Sequence, residues 1–309
     1  MLRGKNPKPA PSRLRCGYVA VVGRTNVGKS TLLNSLLKRK VSIVSDKPQT
    51  TRRRILGVLT EARGQAVFFD TPGVHKPGHE LNRRMVQYIH DALQTADLLL
   101  HVIDAGQSFG HGEQFVMDLV AGSGKPAILA LNKIDLVGKG KLLAIIDFYR
   151  QKHAYASYVP VCALSGDGAE PLLAEIFQGL PEGDLFYEEG FVTDVSDRFM
   201  TMELVREKLL ANVRDEMPFT TAVVIDLFDD SGRRENGLLH VDASIVVERD
   251  SQKGIVIGAR GSRLKAIGTA ARLEMEKMLG CRVYLHLNVK VEPDWRNDPR
   301  FLNDLETVR

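Results

Sequence analysis

Gly23-Arg24-Thr25-Asn26-Val27-Gly28-Lys29-Ser30, followed by Thr31, sits between an apolar run, Tyr18 to Val22, and a stretch from Lys29 to Lys38 that sets Leu32, Leu33, Leu36 and Leu37 on one helical face. The spacing fits G-x-x-x-x-G-K-[ST], and its flanks predict a buried strand leading in and an amphipathic helix leading out. The glycines let the backbone curl so that successive N–H groups point into one concavity, to which the helix adds its positive dipole end. Lys29 can then reach the outer phosphates of a nucleotide, and the Ser30 hydroxyl can coordinate Mg²⁺. A plain Gly-rich turn would satisfy the pattern alone, but strand and helix together favour phosphate binding.

Outward from this loop, strand-like runs (Ala66 to Phe69, Leu98 to Ile103, Ala127 to Leu131, Tyr158 to Val161) alternate with helix candidates around 81–93, 113–120, 141–149 and 171–178. Near-continuous apolar strands alternating with helices predict a doubly wound, mostly parallel α/β sheet, whose ligands sit at the carboxyl ends of its strands. The expected domain from 16 to 180 is followed by a linker over 181–196, marked by Pro181, Gly183, Gly190 and acidic residues. From 197 to 309 the order changes to helix, two strands, a Gly-rich turn, a long helix and a last strand, which predicts an α+β domain with a C-terminal tail. Residues 1–15 read as a loose basic tail.

With 309 residues, 44% hydrophobic and 26% charged, the chain is long enough for two cores, and its net charge of +4 permits a polyanionic partner without requiring one. No apolar stretch is long enough to cross a bilayer or to serve as a signal peptide core, and Cys16, Cys162 and Cys281 suggest neither disulfides nor a zinc site; a cytoplasmic protein is expected. His75, His79, His90, His101 and His111 have no convincing ligand spacing.

Asp70-Thr71-Pro72-Gly73 ends the second apolar run. There Asp70 can hold Mg²⁺ through a water, and the Gly73 N–H can meet a γ-phosphate. Asn132-Lys133-Ile134-Asp135 ends another. The Asp135 carboxylate can accept from guanine N1–H and its exocyclic amine, donors that adenine lacks, for a discrimination on the order of 2–4 kcal/mol. Asn132 is expected to tie back to the P-loop, with the Lys133 stem on the ring face. Thr50 and Thr51 lie in a polar loop able to close over γ-phosphate and Mg²⁺; Thr51 is favoured as the ligand, giving Ser30, Thr51 and Asp70 as the metal set. Arg52-Arg53-Arg54 reads most simply as a solvated basic face.

These motifs resemble the translation-factor-related, Ras-like P-loop GTPases over roughly Gly17 to Gly179. The resemblance implies GTP and GDP as ligands, with catalytic roles for Lys29, Thr51 and Gly73. The family's fifth motif, usually Ser-Ala-Leu or Ser-Ala-Lys, is here Cys162-Ala163-Leu164; the Ala163 N–H can still meet guanine O6, while the role of Cys162 stays open. Val74 stands where many relatives carry a water-orienting glutamine, so slow intrinsic hydrolysis is expected. Relatives with Asn at the position of Asn26 hold K⁺ there, where its charge can stabilise the transition state; the alternative is that Asn26 only shapes the loop.

Val256-Ile257-Gly258-Ala259-Arg260-Gly261, followed by Arg263, Leu264, Lys265 and Ile267, resembles the core of a type II KH domain. In such a domain a Gly-x-x-Gly loop between two helices lets a nucleic-acid backbone approach, beside a groove for about four nucleotides. Ile257, Leu264 and Ile267 are candidates both for that groove and for the core. Trp295 can stack on a base or pack the C-terminal segment. A GTPase domain joined to a KH domain is similar to a bacterial family of ribosome-assembly GTPases over nearly the whole chain, a match strengthened by Asp197-Arg198-Phe199 and by Gly254 to Gly268. That resemblance implies binding near the 3′ end of 16S rRNA, assistance to assembly of the small (30S) ribosomal subunit, a monomer, and peripheral association with the inner face of the membrane. Two further readings remain: a P-loop ATPase, and an RNA-binding assembly factor with a vestigial nucleotide site.

Overall fold

The computed structural model describes residues 13–73 and 78–306. Residues 1–12 of the basic tail expected over 1–15, together with Val74 and His75, lie outside the described residues. Arg13 and Arg15 depart from a loose tail, because Arg13 pairs with Glu182 at 3.2 Å and Arg15 opens the first strand and donates to Leu180 O at 3.0 Å.

The first sheet has six strands in the order β2-β3-β1-β4-β5-β6. They are β1 (Arg15–Val22), β2 (Ile55–Glu61), β3 (Gly64–Asp70), β4 (Leu98–Asp104), β5 (Ala127–Asn132) and β6 (Ser157–Pro160). All neighbours run parallel except β2, which pairs antiparallel with β3. β3, β4 and β5 are buried along their whole length, because helices cover both faces. Those helices are α1 (Lys29–Leu37), α2 (Glu80–Thr95), α3 (His111–Gly122), α4 (Lys139–Lys152) and α5 (Ala169–Gly179). Leu32, Leu33, Leu36 and Leu37 form the buried face of α1, as their spacing requires.

The edge strand β2 is a departure from the five-strand expectation. Its open side is covered by the segment after α5: Val58 N–H donates to Val192 O at 2.7 Å, and Thr193 Oγ1 to Leu56 O at 2.6 Å. Gln65 Oε1 accepts the N–H groups of Phe186 and Tyr187. The stretch read as a linker therefore lies along the sheet edge and pairs with it, which shields a bare row of backbone groups.

A second sheet holds β7 (Thr221–Asp229), β8 (Leu238–Val247) and β9 (Arg282–Val291) in that order, with β7·β8 antiparallel and β8·β9 parallel. Around it stand α6 (Asp197–Asn212), the single turns α7 (Met217–Thr220) and α8 (Ser231–Glu235), then α9 (Asp250–Ile257), α10 (Ser262–Leu279) and α11 (Pro299–Glu306). Ser196 caps α6, its Oγ accepting from Phe199 N at 3.1 Å. α10 packs on both α6 and β9. α9 and α11 are helices beyond those the apolar pattern predicts, although the KH resemblance implies a helix before the loop. No helix among the described residues is long and apolar enough to cross a membrane.

The two sheets are joined through a continuous apolar contact. Leu81 and Met85 of α2 pack with Ala222, Val246, Leu302 and a fully buried Trp295, whose Nε1 donates to Thr220 O at 3.1 Å. Trp295 is thus a packing residue, and base stacking by it is excluded by burial. Arg52 and Arg53 depart from the solvated face expected of them. The Arg52 guanidinium donates to Thr221 O and Pro218 O, both at 2.9 Å, and lies over the Trp295 ring; Arg53 stacks on Phe199 at 3.3 Å. Desolvation, reinforced by the nearby Arg206, lowers the Arg52 pKa to about 9, so it stays charged at neutral pH. Replacing Trp295 with Ala is expected to destabilise the second domain by about 3–5 kcal/mol. The check is the urea midpoint of that domain, and an unshifted midpoint would contradict the packing described.

Candidate functional site

The loop between β1 and α1 carries Gly23 to Ser30 at the carboxyl end of the sheet. Gly28 adopts φ +96°, and a Cβ there would stand 2.3 Å from Asn132 Nδ2. Only glycine fits both demands. Lys29, although buried, is not idle: its Nζ donates to Gly23 O at 3.0 Å and to Arg24 O at 2.8 Å, curling the loop around its own ammonium. Burial lowers its pKa to about 8, against the opposing pull of Asp70 and Glu113. A bound phosphate chain would return the charge stabilisation that burial removes.

The three residues expected to hold a metal converge. Asp70, fully buried at the end of β3, accepts through Oδ2 from Ser30 Oγ at 2.6 Å, Ser42 Oγ at 2.9 Å and Thr51 Oγ1 at 3.3 Å. Ser30 Oγ and Thr51 Oγ1 are themselves 2.9 Å apart. Thr50 instead turns its hydroxyl to Lys47 O at 2.6 Å, so of the two threonines only Thr51 joins this cluster. Burial pushes the Asp70 carboxyl above its ordinary value, while the hydroxyl contacts and Lys29 oppose the rise. Its Oδ1 is buried without a hydrogen-bond partner. Two hydroxyls and a carboxylate, all hard oxygens with one buried oxygen left over, fit Mg²⁺. Thr25, Asn26, Thr31 and Gly73 line the same cleft, and Thr71 Oγ1 anchors its segment on Val21 O at 2.7 Å.

The base-reading side is built around Asn132. Its Nδ2 donates to Val27 O at 2.8 Å, the expected tie to the P-loop. Its Oδ1 accepts from Ala163 N at 3.0 Å, so the N–H expected to face guanine O6 is engaged within the protein. Lys133, in a left-handed conformation, reaches Asn26 O at 2.9 Å and Asp104 Oδ2 at 2.8 Å. Asp104 went unnoticed in the sequence; its only signal was a carboxylate at the carboxyl end of a buried strand. Asp135 is exposed and its Oδ1 accepts from Cys162 Sγ at 3.1 Å. The thiol therefore donates to the carboxylate expected to read the base. Leu164, the last residue of that motif, is 83% exposed.

In the second domain, the loop Gly258–Gly261 joins α9 to α10. Gly258 has φ +73°, and a Cβ on it would meet Arg263 Cβ at 2.8 Å. Arg260 also takes a positive φ, which turns its exposed side chain outward. Of the three cations expected here, Arg260 and Lys265 are exposed, whereas Arg263 is half-buried and donates to Ile255 O, bracing the loop. Ile267 is fully buried and belongs to the core; Leu264 lines a surface groove with Lys265, Thr269, Arg272, Leu285 and Leu287. The contribution of β9 to this groove was not read from the sequence, since strand alternation does not say which neighbour covers which face.

A P-loop fold with this carboxylate and hydroxyl arrangement, joined to a helix–Gly-x-x-Gly–helix unit on a mixed sheet, defines a GTPase carrying a KH domain. Family models agree: one described as a 50S ribosome-binding GTPase matches residues 18–133, and a KH domain matches 223–296. The chain is 45% identical to GTPase Era of Geobacter metallireducens over 94% of this chain and 97% of that relative. It is also 45% identical to GTPase Era of Heliobacterium modesticaldum, over 94% and 96% of the two chains. Among solved structures, an Aquifex aeolicus Era variant bound to GDP and AlF4⁻ matches with TM-score 0.90 and 40% identity, over 94% of this chain and 99% of that one. Era in complex with MgGDPNP and nucleotides 1506–1542 of 16S ribosomal RNA matches equally well, with TM-score 0.90 and 40% identity over 94% and 98%. The chain belongs to the Era family of GTPases.

Replacing Asp135 with Asn converts the base-reading acceptor into a group that can donate. Preference is expected to move from GTP toward xanthosine triphosphate by about 30-fold or more. Competition binding with GTP, ATP and XTP checks this, and a retained preference for GTP would rule Asp135 out as the reader of the base.

Proposed function

We propose that this chain is a GTP-driven switch that binds the 3′ end of 16S rRNA and assists assembly of the small ribosomal subunit, with the division 16–180, 181–196 and 197–309 separating nucleotide, tether and RNA functions. The observation that carries the reading is the coexistence of two glycine loops, Gly23–Ser30 and Gly258–Gly261, in a chain matched over 94% of its length by a protein seen with both MgGDPNP and that RNA.

In this reading Gly23 to Thr31 cradle the phosphates and Lys29 trades its two loop carbonyls for phosphate oxygens. Ser30, Thr51 and Asp70 would hold Mg²⁺, which supplies charge neutralisation at the phosphates. Asp70-Thr71-Pro72-Gly73 brings the Gly73 N–H to the outermost phosphate, while Asn132, Lys133, Asp135, Cys162 and Ala163 enclose the base. Val74 can neither donate nor accept, so no side chain at that position orients water and intrinsic turnover is slow. Asn26 donates Nδ2 to Asp46 O at 2.6 Å, which leaves Oδ1 to face a monovalent cation. Turnover is expected to be at least tenfold faster in KCl than in NaCl at equal ionic strength, the scale of one lost electrostatic stabiliser. Equal rates would remove the cation from the mechanism.

On the RNA side, Arg260 and Lys265 meet phosphates at the Gly-x-x-Gly loop, and Leu264 with its β9 neighbours receives bases. The contacts between Arg52, Arg53 and the second domain make nucleotide state and domain packing interdependent, so RNA and GTP should favour one another by the same factor. Monomeric behaviour, a cytoplasmic location and peripheral attachment to the inner face of the membrane belong to this proposal on the family resemblance alone. Filter binding of 16S 3′-end fragments, with GDP and with a non-hydrolysable GTP analogue, tests the coupling; tighter RNA binding is expected with the analogue. Identical affinities would leave two independent binding domains instead of a switch.

A further inference from the structure

The loop that carries Thr51 is gripped from the second domain at both ends. At its start, Lys40 pairs with Glu207 of α6 and Glu274 of α10, and Val44 N–H donates to Glu207 Oε1 at 2.9 Å. At its end stands Arg206 of α6, only 3% exposed. Its guanidinium donates to Gln49 O at 3.4 Å and to Thr50 O, while Nε and Nη2 hold the Glu203 carboxylate at 2.7 and 2.5 Å. Those two carbonyls immediately precede Thr51, whose hydroxyl reaches Ser30 and Asp70. Gln49 is in a left-handed conformation at φ 59°, a backbone state that a non-glycine residue keeps only when its surroundings hold it.

We propose that Arg206 is a positioning residue for GTP: by fixing the carbonyls of Gln49 and Thr50 it holds Thr51 against Ser30 and Asp70. Docking of the second domain thereby selects the loop conformation that GTP requires. The inference rests on the GTP reading of the P-loop cleft. Its physical basis is that one buried fork binds a carboxylate on its own helix and two carbonyls on the Thr51 loop of the other domain, a geometry only a planar, five-donor group can span. Because α6 packs on α10, and α10 begins at the Gly-x-x-Gly loop, the helix that carries Arg206 links the domain of that loop to the Thr51 loop. GDP has no outer phosphate for the closed loop to serve, so Arg206 should matter little to GDP.

The test is Arg206→Lys, which keeps a cation beside Glu203 but cannot hold that carboxylate and both carbonyls at once. Fluorescent-nucleotide titration of the full chain should show affinity for a non-hydrolysable GTP analogue falling about tenfold, the scale of one charge-assisted hydrogen bond, with GDP affinity within about twofold of the unsubstituted chain. Combined with Thr51→Ala, Arg206→Lys should add little further loss, because its action runs through Thr51. An unchanged analogue-to-GDP ratio in Arg206→Lys, equal loss for both nucleotides, or full additivity with Thr51→Ala would each overturn the inference. Failure of the unsubstituted chain to bind either guanine nucleotide would bring down the GTP reading and this inference with it, which keeps the two failures apart.

Discussion

A carboxylate removed from water must find donors or a cation, and Asp70 is the point on which this molecule turns. One of its oxygens collects hydroxyls from α1, from the loop beyond it, and from Thr51; the other is left bare. That demand brings together segments that are distant in sequence, at the place where the parallel strands end and the helix dipole points. The hydroxyls oppose the rise that burial imposes on the carboxyl, and a divalent ion would oppose it far more strongly. The helix after the phosphate loop, the loop that carries Thr51 and, through that loop, the second domain all meet at this group.

The interface between the domains is built from arginines as much as from apolar side chains. Arg52, Arg206 and Arg296 come close enough to repel, and the repulsion is offset by Glu203, Glu248, aromatic faces and main-chain carbonyls. Such an arrangement is sensitive to geometry in a way that a plain apolar contact is not, since removing one partner leaves a buried charge uncompensated. A contact of that kind depends closely on the shape of the loop it holds.

The parts of this architecture that were legible in sequence are those fixed by local rules. The buried parallel strands announce themselves as apolar runs, the phosphate loop by its glycines, and the KH loop by its two spaced glycines together with the family resemblance. β2 escaped notice because Gly57, Thr60 and Glu61 interrupt its pattern and its exposed edge is covered by a segment more than a hundred residues away. The Arg52–Arg54 run reads as a solvated face because its partners, the carbonyls of Pro218 and Thr221 and the rings of Phe199 and Trp295, are contributed by tertiary packing alone. Cys162 was ambiguous for the same reason: its chemistry depends on facing Asp135, a relation no spacing rule encodes.

The pairing of Val58 with Val192 has an effect on how strongly the domains communicate. With the connecting stretch fastened to β2 as far as Thr193, only a few residues remain free before Ser196 caps α6. So short a leash keeps α6 at a high effective concentration over the loop it grips, and a weak contact suffices to engage it. Any release would therefore reverse quickly.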